Sequence, residues 1–239
     1  VPLNPNPILK VLSTLQVHQV QCLLMGGQAC VYYGGAEFSR DTDIALLAES
    51  ENLQRLAESI KALHAQVIAV PPFELSYLAR GHAVHFRCLH PDAEGMRLDV
   101  MSVMRGLDGF EKLWLRRTTA ELESGERLEL MSLPDLVAAK KTQRDKDWPM
   151  IRRLVEADYQ QADEAPSRER IQFWLREART PSLLREVAGR FLDEHKQALA
   201  GRPLLGLLED EEATVRALVE EELIERERDR LYWKPLKEE

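Results

Sequence analysis

A chain of 239 residues with 44% hydrophobic and 30% charged side chains can bury a real core, as one large domain or a medium domain with an appendage, and is excluded from the disordered class. Its net charge is -8, and residues 206–239, with 12 acidic and 6 basic side chains, hold most of the excess; the near-neutral remainder argues against a general polyanion-binding surface but leaves room for a local basic pocket. No apolar run approaches the about 20 residues of a membrane span, and VPLNPNPILK lacks a basic segment followed by an apolar one, so a cytoplasmic protein with no membrane partner is expected.

In chain order, residues 8–19 carry Ile8, Leu9, Val11, Leu12 and Leu15 at helical spacing. CLLM (22–25) reads as a buried strand that stops at a Gly26-Gly27 turn, and QACVYYG follows as a short helix. DTDIALLA (41–48) is the next strand, 51–65 an amphipathic helix, and QVIAV (66–70) a strand broken by Pro71-Pro72. AVHFRCL (83–89) and MRLDVMSV (96–103) read as a hairpin, and a second hairpin is expected around Glu123–Glu126, leading into RLELM. Ser132 is a candidate cap, with Pro134 in the first turn of a helix whose basic side carries Lys140, Lys141, Arg144 and Lys146; a helical basic strip is expected over 134–153, and another helix near 148–158. From about 166 the pattern is helix only, over 167–178, 181–199 and 210–230, which sets a soft domain boundary near 160. Cys22, Cys30 and Cys88 have no metal-ligand spacing and read as buried free thiols.

Asp41 and Asp43 stand two apart on a strand, so their carboxylates point to one face. Two such charges repel unless a cation lies between them, and hard oxygen donors suit magnesium. Asp99, in RLDVMSV, has the same strand setting; if its strand lies beside 41–48, a third carboxylate joins that face. Two magnesium ions about 3.5–4 Å apart would then activate a hydroxyl and stabilise a leaving pyrophosphate. Gly26 and Gly27 let backbone approach a triphosphate, with the helix from Gln28 presenting free N–H groups. The competing readings are a solvated strand end for Asp41 and Asp43, an edge-strand surface position for Asp99, and a solvated basic face for the lysines and arginines of 140–146. Arg40 fits either a phosphate contact or neutralisation of its acidic neighbours. His82, His85 and His90 read as ordinary packing or hairpin positions.

The run MGGQACVYYGGAEFSRDTD resembles the opening motif of the polymerase-β-like nucleotidyltransferase superfamily, with thirteen residues between Gly27 and Asp41. RLDV resembles the strand bearing that family's third carboxylate, and MSLPDLVAAKKTQRDKDWPMIRRL resembles a segment of the AbiEii-like toxin and related branches. The resemblance covers roughly residues 20–156. It implies an α/β (α+β) fold, a mixed sheet flanked by helices, over 1–160; residues 161–239 lie outside the resemblance, and their pattern alone predicts a helical part. It also implies that Asp41, Asp43 and Asp99 are catalytic metal ligands for Mg2+, and that Gly26, Gly27, Arg40, Lys140 and Arg144 contact the NTP. The expected activity is transfer of a nucleoside monophosphate to an acceptor hydroxyl, on an RNA end such as tRNA, a protein or a small molecule. The branch implies a toxin-like role with an antitoxin or other partner protein. The rival from another class is a degenerate nucleotide-binding or interaction module that docks a partner on its helical tail; a metal-dependent nuclease would leave Gly26-Gly27 unexplained.

Overall fold

The computed structural model describes residues 7–121 and 127–239, which divide into two compact units. One comprises the chain up to Val31 with Phe38–Leu136; the other comprises Tyr32–Glu37 with Val137–Glu239. The division falls after Leu136, upstream of the composition shift near residue 160.

The first unit is α+β. Its helices are α1 (Pro7–Val17), α2 (Gly26–Tyr32, whose last residue falls in the second unit), α3 (Ser50–Ala62), α4 (Leu75–Arg80) and α5 (Phe110–Leu115). Its strands are β1 (Cys22–Met25), β2 (Asp41–Leu46), β3 (Gln66–Val67), β4 (Val84–Arg87), β5 (Arg97–Met101), β6 (Thr118–Glu121) and β7 (Arg127–Leu130). They form one mixed sheet in the order β3-β4-β5-β2-β1-β7-β6. Strand β2 pairs antiparallel with β1 and parallel with β5, and β5 pairs antiparallel with β4 as the 83–103 pattern predicts.

Alternation sorts the two sheet faces. Ile44 and Leu46 of β2, Val84 and Phe86 of β4, and Leu98 and Val100 of β5 enter one core with Val11 and Leu15 of α1 and Leu56 of α3. Each fully buried side chain of this size contributes about 1.5–3 kcal/mol relative to exposure. The odd-numbered residues of the same strands, Asp41, Asp43, His85, Arg87, Arg97 and Asp99, therefore share the opposite face.

Several expectations change. The strand expected over 66–70 is two residues long and exposed, with one further backbone bond from Ile68 N to His85 O (2.9 Å); Pro71 and Pro72 cannot continue a ladder. Helices α4 and α5 and strand β6 are too short to leave a periodic signal. The turn expected at Glu123–Glu126 lies outside the described residues, although the strands flanking it, β6 and β7, pair antiparallel.

Helix α6 (Leu133–Ala139) links to the second unit and starts as expected, with Asp135 N donating to Ser132 Oγ (3.4 Å). It does not run on to 153. It closes with tight bonds from Lys140 N to Val137 O and from Lys141 N to Ala138 O (both 3.2 Å), and 140–146 is a connection. The second unit then stacks α7 (Asp147–Gln160), α8 (Arg168–Glu177), α9 (Pro181–Arg190), α10 (Leu192–Ala198) and α11 (Glu211–Glu238). The helix expected over 181–199 breaks at Phe191, whose φ of -125° and ψ of 69° are not helical. Arg202 ties this unit together: it is buried and donates to Leu175 O (2.9 Å), Ala178 O (3.0 Å) and Glu221 Oε2 (2.8 Å).

Candidate active site

The ladder brings the three aspartates to one face. Asp43 lies directly opposite Asp99 across the parallel β2–β5 pair, and Asp41 lies opposite Arg97. On the far side of β5, His85 faces Asp99 and Arg87 faces Arg97. Two rungs result: Met25, Asp43, Asp99 and His85 on one, Asp41, Arg97 and Arg87 on the next. Strands about 4.8 Å apart put directly opposed side chains within reach of one another.

The glycine turn belongs to the same site. Gly26 has φ +62°, and a Cβ there would overlap the Asp43 carboxylate; a Cβ on Gly27 would overlap the Ser39 hydroxyl. Gly27 N donates to Asp43 Oδ2 at 3.3 Å, and Gln28 Nε2 donates to Ser39 O at 3.0 Å. The helix therefore begins at Gly26 rather than at Gln28, and one of its first N–H groups is directed at a carboxylate of this chain. Gly26 serves first to let Asp43 lie against backbone, and Gly27 to admit the Ser39 side chain.

Asp99 is closely held by its neighbours on the sheet. Its side chain is 14% exposed; Arg97 Nη2 donates to its two oxygens at 2.8 and 3.1 Å, and His85 Nδ1 stands 2.9 Å from Oδ1. Burial acts to lower the Arg97 pKa, but the carboxylates of Asp99, Asp41 and Asp43 outweigh it and hold the guanidinium above its ordinary value. One arginine thus senses all three acidic groups. Arg97 Nε is buried without a hydrogen-bond partner.

The donor chemistry fits a hard divalent cation: three carboxylates on adjoining strands, one of them in a space that a Cβ would fill. The carboxylates share a face without closing on a point. Among the described residues no group of three or more His, Cys, Asp or Glu is arranged to hold an ion.

The remaining predicted residues are distributed differently. Arg40 is exposed, with its guanidinium 5.9 Å from the centre of the Phe38 ring. Lys140 and Arg144 belong to the second unit and converge on Asp147. That carboxylate is 2% exposed and accepts from Lys140 Nζ (3.3 Å), Thr142 Oγ1 (2.6 Å) and Arg144 Nε (2.7 Å), while Trp148 Nε1 donates to Thr142 O (2.9 Å). Burial raises the Asp147 pKa, and Lys140, Thr142 and Arg144 together bring it below its ordinary value. Lys141 pairs with Glu177 at 2.7 Å. The expected basic helix face is thus a folded connection organised by a buried aspartate.

Arg97 is the site-face residue that sequence reasoning passed over, and His85, read there as a packing or hairpin position, faces Asp99 instead. The signal was present: Arg97 precedes Asp99 by two, as Asp41 precedes Asp43, and period-two alternation carries both pairs to one face. His82 and His90 have ordinary roles. His82 is buried edge-on to Tyr77 (5.4 Å), and His90 Nδ1 accepts from Asp92 N (3.1 Å) in the hairpin turn. None of the three cysteines forms a disulfide, and burial pushes the Cys22 thiol up to about 12, though the residue as a whole is partly exposed, and the Cys88 thiol up to about 11. Both are protonated at neutral pH and poor nucleophiles.

In comparison with known proteins, no family model matches the chain and no curated protein sequence matches it. Among the described residues no helix is long and apolar enough to cross a membrane.

Proposed function

We propose that the chain is a magnesium-dependent nucleotidyltransferase of the polymerase-β-like kind. It moves a nucleoside monophosphate from an NTP to an acceptor hydroxyl. The observation that carries this reading is the pairing of Asp43 with Asp99, with Asp41 on the same face and the Gly26 turn against the Asp43 carboxylate. Asp41, Asp43 and Asp99 would hold the ions, which supply positive charge beside the transferring phosphoryl group. The chain's own part is positional. Gly26 and Gly27 keep backbone against the carboxylates, and an Asp99 oxygen takes the proton of the acceptor hydroxyl. The acceptor oxygen bonds to the α-phosphorus, the bond from that phosphorus to the bridging oxygen breaks, and pyrophosphate leaves with the electron pair.

The acceptor is an RNA end such as tRNA, a protein hydroxyl or a small molecule; the acidic balance of the chain disfavours a long RNA. In this reading Arg40 is a secondary nucleotide contact, while Lys140 and Arg144 stay tied to Asp147 within the second unit. The protein is cytoplasmic, and the branch resemblance supports a toxin-like role with an antitoxin or other partner.

One observation favours the second reading, a nucleotide-binding module that docks a partner. Helix α11 exposes Val215 (44%), Val219 (52%) and Leu223 (60%), spaced four apart along one stripe. Titration calorimetry of ATP and GTP with magnesium, on wild type and an Asp41→Ala/Asp43→Ala double variant, tests the primary reading alongside pyrophosphate release in the presence of tRNA, protein and aminoglycoside pools. The enzyme reading expects binding and release in wild type, and release reduced about 10²–10³-fold in the double variant. Metal-dependent binding without release from any pool selects the module. Absence of NTP binding removes both.

A further inference from the structure

We infer that Arg97 is the resident counter-ion of the acidic face, an exchangeable plug that a divalent cation displaces from Asp99 and that then grips the polyphosphate of the nucleotide. The inference rests on the proposed reading of Asp41, Asp43 and Asp99 as the metal face.

The register places Arg97 where such an exchange is possible. It shares a rung with Asp41 and sits two residues before Asp99 on the same face, so its backbone cannot carry it away from the carboxylates. Three carboxylates on one face need positive charge nearby, and Arg97 supplies it from within the ladder, opposite Asp41 and 2.8 Å from Asp99. A divalent cation binding there competes with it for the same oxygens.

The manner of the grip differs from that of a fixed structural pair. A second arginine of the same unit provides the contrast. Arg116 holds Asp135 as a two-pronged fork, Nε to Oδ2 and Nη2 to Oδ1, both at 2.7 Å. Arg97 instead reaches both Asp99 oxygens from Nη2 alone, and its third contact, to His85 Nδ1 at 3.4 Å, comes from the same nitrogen. Its Nε–H is buried and unpartnered, a donor that normally finds an acceptor in a finished structure. A guanidinium with donors in reserve, fixed beside metal-binding carboxylates, matches the planar oxygen array of a phosphate. A phosphate oxygen reaching the rung of Asp41 would supply the missing acceptor.

The test titrates Mn2+ alone, then tripolyphosphate onto Mn2+-loaded protein, for wild type and the Arg97→Gln and Arg97→Lys variants of the full chain, with melting curves to establish folding. Arg97→Gln removes the competing charge, so the Mn2+ Kd tightens about fivefold while tripolyphosphate binding weakens about tenfold. Arg97→Lys keeps the charge and loses the fork; its Mn2+ Kd stays near wild type and its tripolyphosphate affinity falls between the other two. An arginine needed only for structure would lower the melting temperature and weaken both ligands together. Mn2+ binding that is unchanged or weaker in folded Arg97→Gln overturns the inference and leaves the metal face standing. No Mn2+ binding by wild type overturns the metal face and the inference with it.

Discussion

Gly26 carries two constraints at once. Its φ of +62° lies in the left-handed region, and the space its side chain would need is taken by the Asp43 carboxylate. Gly26→Ala is expected to lower stability by about 1–2 kcal/mol from the backbone conformation alone. Because the new methyl must push Asp43 aside, divalent-cation affinity should fall more than that stability loss explains; calorimetric melting and Mn2+ titration on one sample separate the effects. Thr42, between the two aspartates, faces the core. It is fully buried and its Oγ1 has no hydrogen-bond partner. Replacing a desolvated hydroxyl by a methyl of similar shape removes that penalty, so Thr42→Val should raise the unfolding free energy by about 1 kcal/mol in urea titration, with nucleotide binding unchanged. A loss of stability would mean that the hydroxyl is satisfied in solution.

The connection from α6 to α7 is organised by Asp147. Lys140 is itself only 12% exposed, so removing Asp147 leaves a cation with little solvent and no carboxylate. Asp147→Ala should destabilise the helical unit by about 3 kcal/mol, read as a drop in its melting temperature. The pH dependence has a definite sign. Because the carboxyl titrates below its ordinary value in the folded chain, its contribution is complete above that value, about 3.9, and is lost as pH falls through the folded one. Wild type should lose stability more steeply than Asp147→Ala below about pH 4. This connection also shows what the sequence does and does not disclose. Lys140, Lys141 and Arg144 at near-helical spacing look like a solvated helix face, because nothing local shows that Asp147 is buried and draws Lys140 and Arg144 inward. Strands β2 and β5 were legible, since Ile44 and Leu46, and Leu98 and Val100, alternate with charged residues that no core would accept. The parallel pairing that sets Asp43 beside Asp99 was not, because it joins segments distant in sequence and nothing in either strand names its neighbour. His85 and Arg97 lie on that face by the same alternation, but a histidine or arginine on a lone strand signals no site until the pairing sets it beside Asp99 and Asp41.

At the scale of the molecule, charge and chemistry are divided between the two units. The first unit carries the carboxylate face; the second ends in α11, which lies within the acidic stretch 206–239 and carries an exposed apolar stripe. In the proposed reading a polyphosphate site in a chain of net charge -8 needs its few cations concentrated locally, and Arg97 and Arg87, paired on adjoining strands, are the candidates. Raising salt from about 50 to 200 mM should therefore weaken nucleotide binding only modestly, as expected for one or two phosphate contacts rather than the many made on a long nucleic acid; a loss of 10³-fold or more would point to an extended polyanion instead. The central claim is that Asp41, Asp43 and Asp99 act together in nucleotidyl transfer. Its most direct test is incubation of wild type and Asp99→Asn with each of four α-labelled NTPs, magnesium, and separate pools of tRNA, protein and aminoglycosides. The account predicts label covalently attached to one acceptor class by wild type, reduced about 10²–10³-fold in Asp99→Asn; transfer that survives intact in Asp99→Asn, or no transfer to any pool by wild type, would contradict it.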